Sequence, residues 1–501
     1  MVFADLLFIF LFLTLCTFAC FLARTNRSRN WVLLVFSLIF YGWSGPLLVL
    51  LLCGMTLIAY LGALRMESLR KRQAECAASP DYLPGFDNEP QKLKKMEKTT
   101  LIFSIVLSIG ILAFFKYTRF ALGEIKALFH ATFSLPDIVL PIGISFYTFQ
   151  LISYLVDVYR GEVEVQHKYH LLLLYAGLFH QCVAGPIVRY SDINDQLHNR
   201  TLTVEQFSAG ITRFATGLAK KALLANTLAT IADTLVPTGG ENLELQSAAT
   251  LLLGSLAYML QIYLDFSAYS DMAIGMGLMA GFHYRENFQY PYAATSVTDF
   301  WRRWHISLSS FFRDYVYIPL GGNRRGFGRQ VLNMFIVWSL TGIWHGAGWN
   351  YLLWGLFYFV LLVIEKRFVD LKKKAPVPLA VIRRVLTLVA VFFGWILFRY
   401  SDMAVLGTVL RGIFCGNGNP FFDLTAKLTL QNNFFFLPLC ILACFPVVPK
   451  LHAYLDKKLL PYTGWRRTLR VCEAVLPILL IVLSVCNLAG LTYNPFLYTQ
   501  F

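Results

Sequence analysis

The sequence predicts an all-α integral membrane protein, a multi-spanning helical bundle with re-entrant and interfacial helices. Three observations predict it. Of 501 residues, 57% are hydrophobic and only 15% charged, against about 25% charged in soluble domains. Apolar runs recur from residue 5 to residue 493 with no long polar stretch between them. The net charge of +15 is held in short clusters between those runs. That is how positively charged cytoplasmic loops are written, so the basic balance does not indicate a nucleic-acid partner.

The elements follow in order. A crossing takes about 20 apolar residues. Hydropathy windows place candidates at 5–23, 31–42, 46–63, 99–117, 137–158, 169–187, 206–234, 247–264, 331–344, 350–365, 380–399, 434–449 and 474–491. The first carries Asp5 and no basic leader, so it reads as an uncleaved span and not as a signal peptide. Residues 31–40, followed by Tyr41-Gly42-Trp43-Ser44-Gly45-Pro46, read as a broken or shallow hairpin because glycine and proline interrupt them. The basic clusters at 24–29, 65–98, 324–329, 366–374 and 457–470 read as cytoplasmic. The N-terminus, the 400–432 loop and the uncharged 491–501 tail are then outside. The 65–98 loop is too short for a domain, so residues 1–501 are expected to form a single multi-spanning domain. Cys16, Cys20, Cys53, Cys182, Cys440, Cys444 and Cys486 lie inside apolar runs and read as small buried hydrophobes. No cysteine pair has metal-ligand spacing beside a histidine, and no P-loop, dinucleotide or zinc motif of useful specificity occurs.

Residues 297–320 behave differently. Capped by Ser296 or Thr298, they set Trp301, His305, Leu308 and Phe312 on one helical stripe and Arg302, Ser309 and Arg313 on another. Tryptophan and arginine together on such a helix indicate one lying at the membrane interface.

Residues 331–365 form an apolar hairpin between two basic clusters, turning at Thr341-Gly342-Ile343-Trp344-His345-Gly346-Ala347-Gly348-Trp349-Asn350. The rising limb, 331–344, has 14 residues and as a helix climbs about 21 Å. The hydrocarbon core is about 30 Å thick, so the turn stops at depth and carries His345 there. An ionisable ring in that place is costly and usually functional. The bland alternative is a core histidine hydrogen-bonded to a neighbouring helix. Gly342, Gly346 and Gly348 permit close approach of backbone or of a substrate, and non-helical backbone at this depth lines a cavity or is buried in protein.

These residues carry a family resemblance. Trp344-His345-Gly346, preceded by Trp301-Arg302-Arg303-Trp304-His305-Ile306-Ser307-Leu308-Ser309 and the run from Arg313-Asp314-Tyr315 to Gly321-Gly322-Asn323-Arg324, resembles the membrane-bound O-acyltransferase superfamily. Within it the chain is most similar to the bacterial branch that O-acetylates alginate. Val183-Ala184-Gly185-Pro186-Ile187-Val188-Arg189-Tyr190, Tyr263-Leu264-Asp265-Phe266 onward, Asn287-Phe288-Gln289-Tyr290-Pro291-Tyr292 and the terminal Asn494-Pro495-Phe496-Leu497-Tyr498 support it. His180-Gln181-Cys182 departs from the more apolar, proline-containing stretch common in that branch. The resemblance is strongest over 140–365, the expected catalytic core.

The resemblance implies helices around a central funnel in a bacterial inner membrane, with His345 essential for transfer. It implies a cytoplasmic thioester donor, acetyl-coenzyme A or an acyl carrier, as co-substrate and no tightly bound cofactor. The acceptor would be an exported polysaccharide, helped by extracytoplasmic partner proteins.

Acyl transfer to an alcohol needs a base for the hydroxyl proton, and imidazole, with an ordinary pKa near 6.5, suits it. His345 and His305 are the catalytic candidates, His305 facing the donor entrance or serving only structure. Trp344, Trp304, Asp265, Arg313 and Tyr315 are the candidate substrate-binding residues. Arg302, Arg303 and Arg313 suit a phosphate-bearing donor, or snorkel to lipid headgroups. Asp265 and Asp271 line a path or pair with arginines such as Arg189. Two rival readings remain: D-alanyl or other acyl transfer from a carrier protein to a cell-envelope polymer, and a transporter or flippase, which also uses polar residues at membrane depth.

Overall fold

The computed structural model describes residues 2–79, 88–182, 185–370, 376–459 and 463–490. Val183 and Ala184, Lys372 to Lys374 and the terminal Asn494 to Tyr498 lie outside the described residues. Every element among those described is helical. Five helices are long and apolar enough to cross a membrane, and a sixth crossing arises if one pair bent by 72° counts as a single span. The chain is an all-α, multi-pass membrane protein. The described residues group into two compact units.

The first unit holds residues Leu7–Ala209 with Met276–Arg285. Its helices are α1 (Thr14–Leu22), α2 (Asn26–Gly42), α3 (Pro46–Ala78), α4 (Glu89–Phe129), α5 (Ile144–Arg160), α6 (Tyr169–Gly177) and α7 (Tyr190–Asn199). Helix α2 starts at a Thr25–Ser28 capping box, which satisfies end-group N–H donors reciprocally. Gly45 at φ 157° followed by Pro46 starts α3, so the expected hairpin is a pair of helices joined by a tight turn. Helices α3 and α4 have 33 and 41 residues, about 50 and 60 Å. They therefore run on past a 30 Å core, and most of the 65–98 segment expected as a loop is their helical ends. Hydropathy misses this because charged residues continue a helix without lowering its propensity. The 169–187 candidate is short: α6 has nine residues and stops before a turn at Phe179–Gln181.

The second unit holds Val2–Leu6, Gly210–Gly275 and Glu286–Phe501. Its chain runs from Gly210, within α8 (Val204–Ala219), through a π-helical turn at Lys220–Ala225 and α9 (Asn226–Leu235). Next come α10 (Ala248–Met279) as far as Gly275, α11 (Val297–Arg303), α12 (Ile306–Phe312), α13 (Phe327–His345), α14 (Trp349–Phe368) and α15 (Val377–Arg399). It closes with α16 (Met403–Cys415), α17 (Leu424–Asn432), α18 (Phe436–Ala443), α19 (Val447–Leu459) and α20 (Thr463–Ala489). Helices α18 and α19 are the bent pair. The 400–432 segment, expected as an exterior loop, carries α16 and α17, whose starts are capped by Asp402 and Asp423.

Two expectations about the site need correcting. Residues 297–320 do not form one helix. Trp304 is extended and His305 is left-handed at φ 44°, ψ 56°, so the Trp301–His305–Leu308–Phe312 stripe is broken between α11 and α12. The limb leading to His345 is α13, with 19 residues, which climbs about 28 Å, not 21 Å. Its polar first turn, Gly328-Arg329-Gln330, is helical but invisible to hydropathy. Packing, rather than a shortened limb, is what buries His345.

Candidate active site

Helices α13 and α14 form an antiparallel hairpin in which glycines meet backbone. A Cβ on Gly342 would strike the Tyr351 carbonyl, and one on Gly355 would strike the Trp338 carbonyl. Small residues let helices approach this closely inside a membrane. A Cβ on Gly346 would strike the Tyr351 ring, and one on Gly348 would lie 2.6 Å from Asn350 Oδ1. Of the two close approaches expected at Gly342, Gly346 and Gly348, backbone or substrate, the structure shows packing against α14.

His345 is the last residue of α13 and is 4% exposed. Three aromatic rings enclose it: Trp344 at 4.8 Å, Trp354 at 4.8 Å and Phe398 at 5.3 Å, the last two nearly perpendicular. Asn350 Nδ2 donates to the Phe398 carbonyl at 2.9 Å, which ties the end of α15 to the start of α14 and fixes that wall.

His305 is fully buried in the break between α11 and α12, outside the candidate spans. Phe266 of α10 meets it edge-on at 4.8 Å. Burial pushes its pKa down to about 3, so the ring is neutral. Its Nδ1 lies 3.2 Å from Asn287 Oδ1, and on its other flank the Trp344 ring is 5.9 Å away. Trp344 therefore borders both histidines.

The other candidates fall in different places. Trp304 lies one layer back, packed against Trp395 at 4.7 Å and Phe288 at 5.1 Å. Asp265 precedes Phe266 on α10 and pairs with Lys221 at 2.7 Å, both almost wholly buried. Asp271 pairs with Lys220 and Arg213, each at 2.6 Å. Pairing holds for both carboxylates, but the cations come from α8 and the π-turn where the sequence offers Arg189. Arg313 is exposed and bonded through Nε to Asp314 at 2.6 Å. Tyr315 is half-buried, its ring 4.9 Å from that of Phe311. Arg303 bonds Asp299 at 2.8 Å.

A cavity of about 210 Å³ lies between α11–α12 and the hairpin, bounded by Trp301, Ser309, Arg313, Trp338, Thr341 and Lys366 among others. Met334, Trp338, Thr341 and His345 follow one another at spacings of four, three and four, one face of a helix. The cavity thus opens along the face of α13 that carries His345 one turn beyond Thr341. Sequence reasoning missed Glu365, which caps α11 from α14: its carboxylate accepts from Val297 N at 3.0 Å and Thr298 N at 2.7 Å. It also missed Lys221, although Lys220 and Lys221 inside an apolar run were a visible signal. Asn287 was quoted only as part of a motif.

Comparison with known proteins decides the family. The family model for membrane-bound O-acyltransferases matches residues 162–409. A probable alginate O-acetylase of Pseudomonas putida is 36% identical, with 100% of both chains covered. The chain belongs to the membrane-bound O-acyltransferase family. A peptidoglycan O-acetyltransferase of Helicobacter pylori is 31% identical over 82% of this chain and 79% of its own. A teichoic acid D-alanyltransferase of Bacillus subtilis is 28% identical over 46% of this chain and 60% of its own. The matched region contains both histidines, the hairpin and the cavity.

Proposed function

We propose that this protein is an O-acetyltransferase of the bacterial inner membrane that carries an acetyl group from a cytoplasmic thioester to hydroxyls of an exported polysaccharide. One observation carries the reading: a buried histidine closes the helix face along which the cavity runs, and a second stands across Trp344. The full-length likeness to an alginate O-acetylase supports acetyl as the group and a polysaccharide as the acceptor.

His345 takes the acceptor's hydroxyl proton as the new C–O bond forms and the C–S bond breaks. It then returns the proton to the departing sulfur, so the product is an ester and a free thiol. Taking and giving a proton in turn suits an imidazole, whose ordinary pKa near 6.5 lies close to working pH. Trp344, Trp354 and Phe398 exclude water, which keeps the thioester from hydrolysis. The cavity is smaller than the roughly 300–1,000 Å³ of a whole small-ligand pocket. It suits the extended thioester arm of coenzyme A or of a carrier protein, with Lys366 and Arg313 available to a phosphate. Extracytoplasmic partner proteins would receive or present the acceptor.

The test is His345→Ala in the native organism, followed by mass spectrometry of surface polymers. Acetyl esters should fall by about 10³-fold or more, the scale of a lost acid–base group, with protein level and insertion unchanged. Undiminished acetylation would sink the reading. Loss of D-alanyl esters in place of acetyl esters would move it to the D-alanyl rival, which the Bacillus relative favours. Loss of glycan export would favour a conduit.

A further inference from the structure

We infer that Asn287 is a positioning residue that holds His305 as one tautomer, with the proton on Nδ1 and the lone pair on Nε2, so that His305 acts on the hydroxyl substrate and not on the thioester. The inference deepens the proposed acyl transfer and rests on it for the word substrate.

The argument starts from a donor that cannot change role. The Ser307 backbone N–H donates to the Asn287 side chain at 3.2 Å, and Ser307 Oγ donates to the same atom at 2.9 Å. A backbone N–H is only ever a donor, so the atom it meets is the amide oxygen. Turning the amide over would set its NH2 against that N–H. The same oxygen lies 3.2 Å from His305 Nδ1. Ser307 Oγ also stands 3.4 Å from Nδ1, but its hydroxyl hydrogen goes to the nearer amide oxygen at 2.9 Å. An amide oxygen only accepts, so Nδ1 is assigned the hydrogen. In a neutral ring the other nitrogen is then bare, as a tautomer is set by the bond its partner nitrogen makes.

The backbone makes the same grip. Ile306 N donates to the Asn287 carbonyl at 3.0 Å, so main chain and side chain of one residue hold the His305 ring and the two residues that follow it. That grip matters because His305 sits at φ 44°, a strained conformation for a non-glycine residue that persists only where its surroundings over-determine it. Asn287 is itself fully buried.

The chemical consequence is a change of partner. Polarising a thioester carbonyl takes a donor, and His305 Nε2 in this tautomer is an acceptor. Its counterpart is an O–H. A polysaccharide presents several neighbouring hydroxyls, so His305 can hold one by its lone pair while His345 takes the proton of the one that reacts. No proton is gained or lost at His305 in this role.

The test uses the full-length protein in lipid nanodiscs, labelled with ¹⁵N-histidine. The His305 signals are assigned by difference from His305→Gln. Wild type should show a protonated Nδ1 and a bare Nε2. Asn287→Leu, close in size but without an acceptor, should lose that preference, and Asn287→Asp should keep it. A protonated Nε2 in wild type, or an unchanged tautomer in Asn287→Leu, overturns the inference whatever the activity is. With acetyl-coenzyme A and an oligouronate as the probes, Asn287→Leu should raise the KM for the oligouronate at least tenfold and leave the KM for the donor within about twofold. A change confined to the donor KM overturns the inference. Thermal melting of each variant in nanodiscs separates this from unfolding, and Asn287→Asp should restore most of the acceptor KM. Absence of any transfer by wild type with a correct tautomer counts against the acyl-transfer reading and leaves the tautomer standing.

Discussion

The two histidines beside Trp344 are held by opposite means. His345 ends a regular helix and is located by shape: three rings around it and a hairpin behind it in which Gly342 and Gly355 press against backbone. His305 interrupts a helix, sits in a left-handed conformation, and is located by polar bonds to Asn287. The comparison teaches that volume and polarity are separately legible in one site. Adding atoms should damage the first histidine's surroundings, and removing acceptors should damage the second's.

The largest effect on transfer expected from that comparison is on the packed side. Gly342→Leu forces a side chain into the Tyr351 carbonyl and cannot be relieved without separating α13 from α14. Overpacking costs typically 1–3 kcal/mol and sometimes more, so transfer should fall at least 100-fold with a lower melting temperature. A variant with normal activity would show that the hairpin does not locate His345. Next, on the polar side, Lys221→Met leaves Asp265 buried without its cation beside the Phe266 that touches His305. Breaking such a pair costs about 3–5 kcal/mol, whereas replacing both members is often neutral. Lys221→Met should therefore melt early, and Lys221→Met with Asp265→Leu should recover. No recovery would mean that the pair serves more than packing. A smaller loss is expected from Trp354→Leu, which removes one ring from around His345. Aromatic pairs add about 0.5–1.5 kcal/mol beyond their area, so kcat should drop up to about tenfold, while Trp354→Phe stays nearer wild type.

The last effect leaves activity near neutral pH alone and is read in the pH dependence of stability. Burial lowers the His305 pKa to about 3, against an ordinary value of about 6.5. The native ring stays neutral while the unfolded one takes up a proton, so stability falls as pH drops from about 6.5 toward 3. His305→Asn should flatten that part of the melting-temperature profile. An unchanged slope would show that the ring is charged or open to water.

Much of this was readable in the residues. The apolar runs and their basic boundaries announce the helical membrane fold, and the glycine-rich turn between two such boundaries singles out His345. The reason for its depth was not readable. Trp354 and Phe398 reach it from other helices, and the charged start of α13 hid four residues of the limb. The break at His305 carries no glycine or proline, and the spacing of Trp301, Leu308 and Phe312 fits an unbroken helix equally well. What holds it, Asn287, lies 18 residues upstream, and the Glu365 cap of α11 comes from 68 residues downstream. Such contacts leave no periodicity. The lysines of the π-turn did leave a mark, two cations in an apolar run opposite two carboxylates, and counting charges against each other across helices would have paired them.

The crossing at Gly342 and Gly355 has a mechanical consequence. Where two helices touch through side chains, the layer between them can breathe, because rotamers change and gaps open as temperature or lateral pressure varies. Here the layer is reduced to hydrogens and backbone, so it has almost nothing to compress. At this crossing the hairpin is therefore expected to move as one stiff blade, which hydrogen exchange of α13 and α14 in bilayers of different thickness would check. A bilayer that thins, thickens or tilts the protein should carry His345 along with Trp354 and Tyr351 as a unit, leaving the ring's immediate neighbours unchanged.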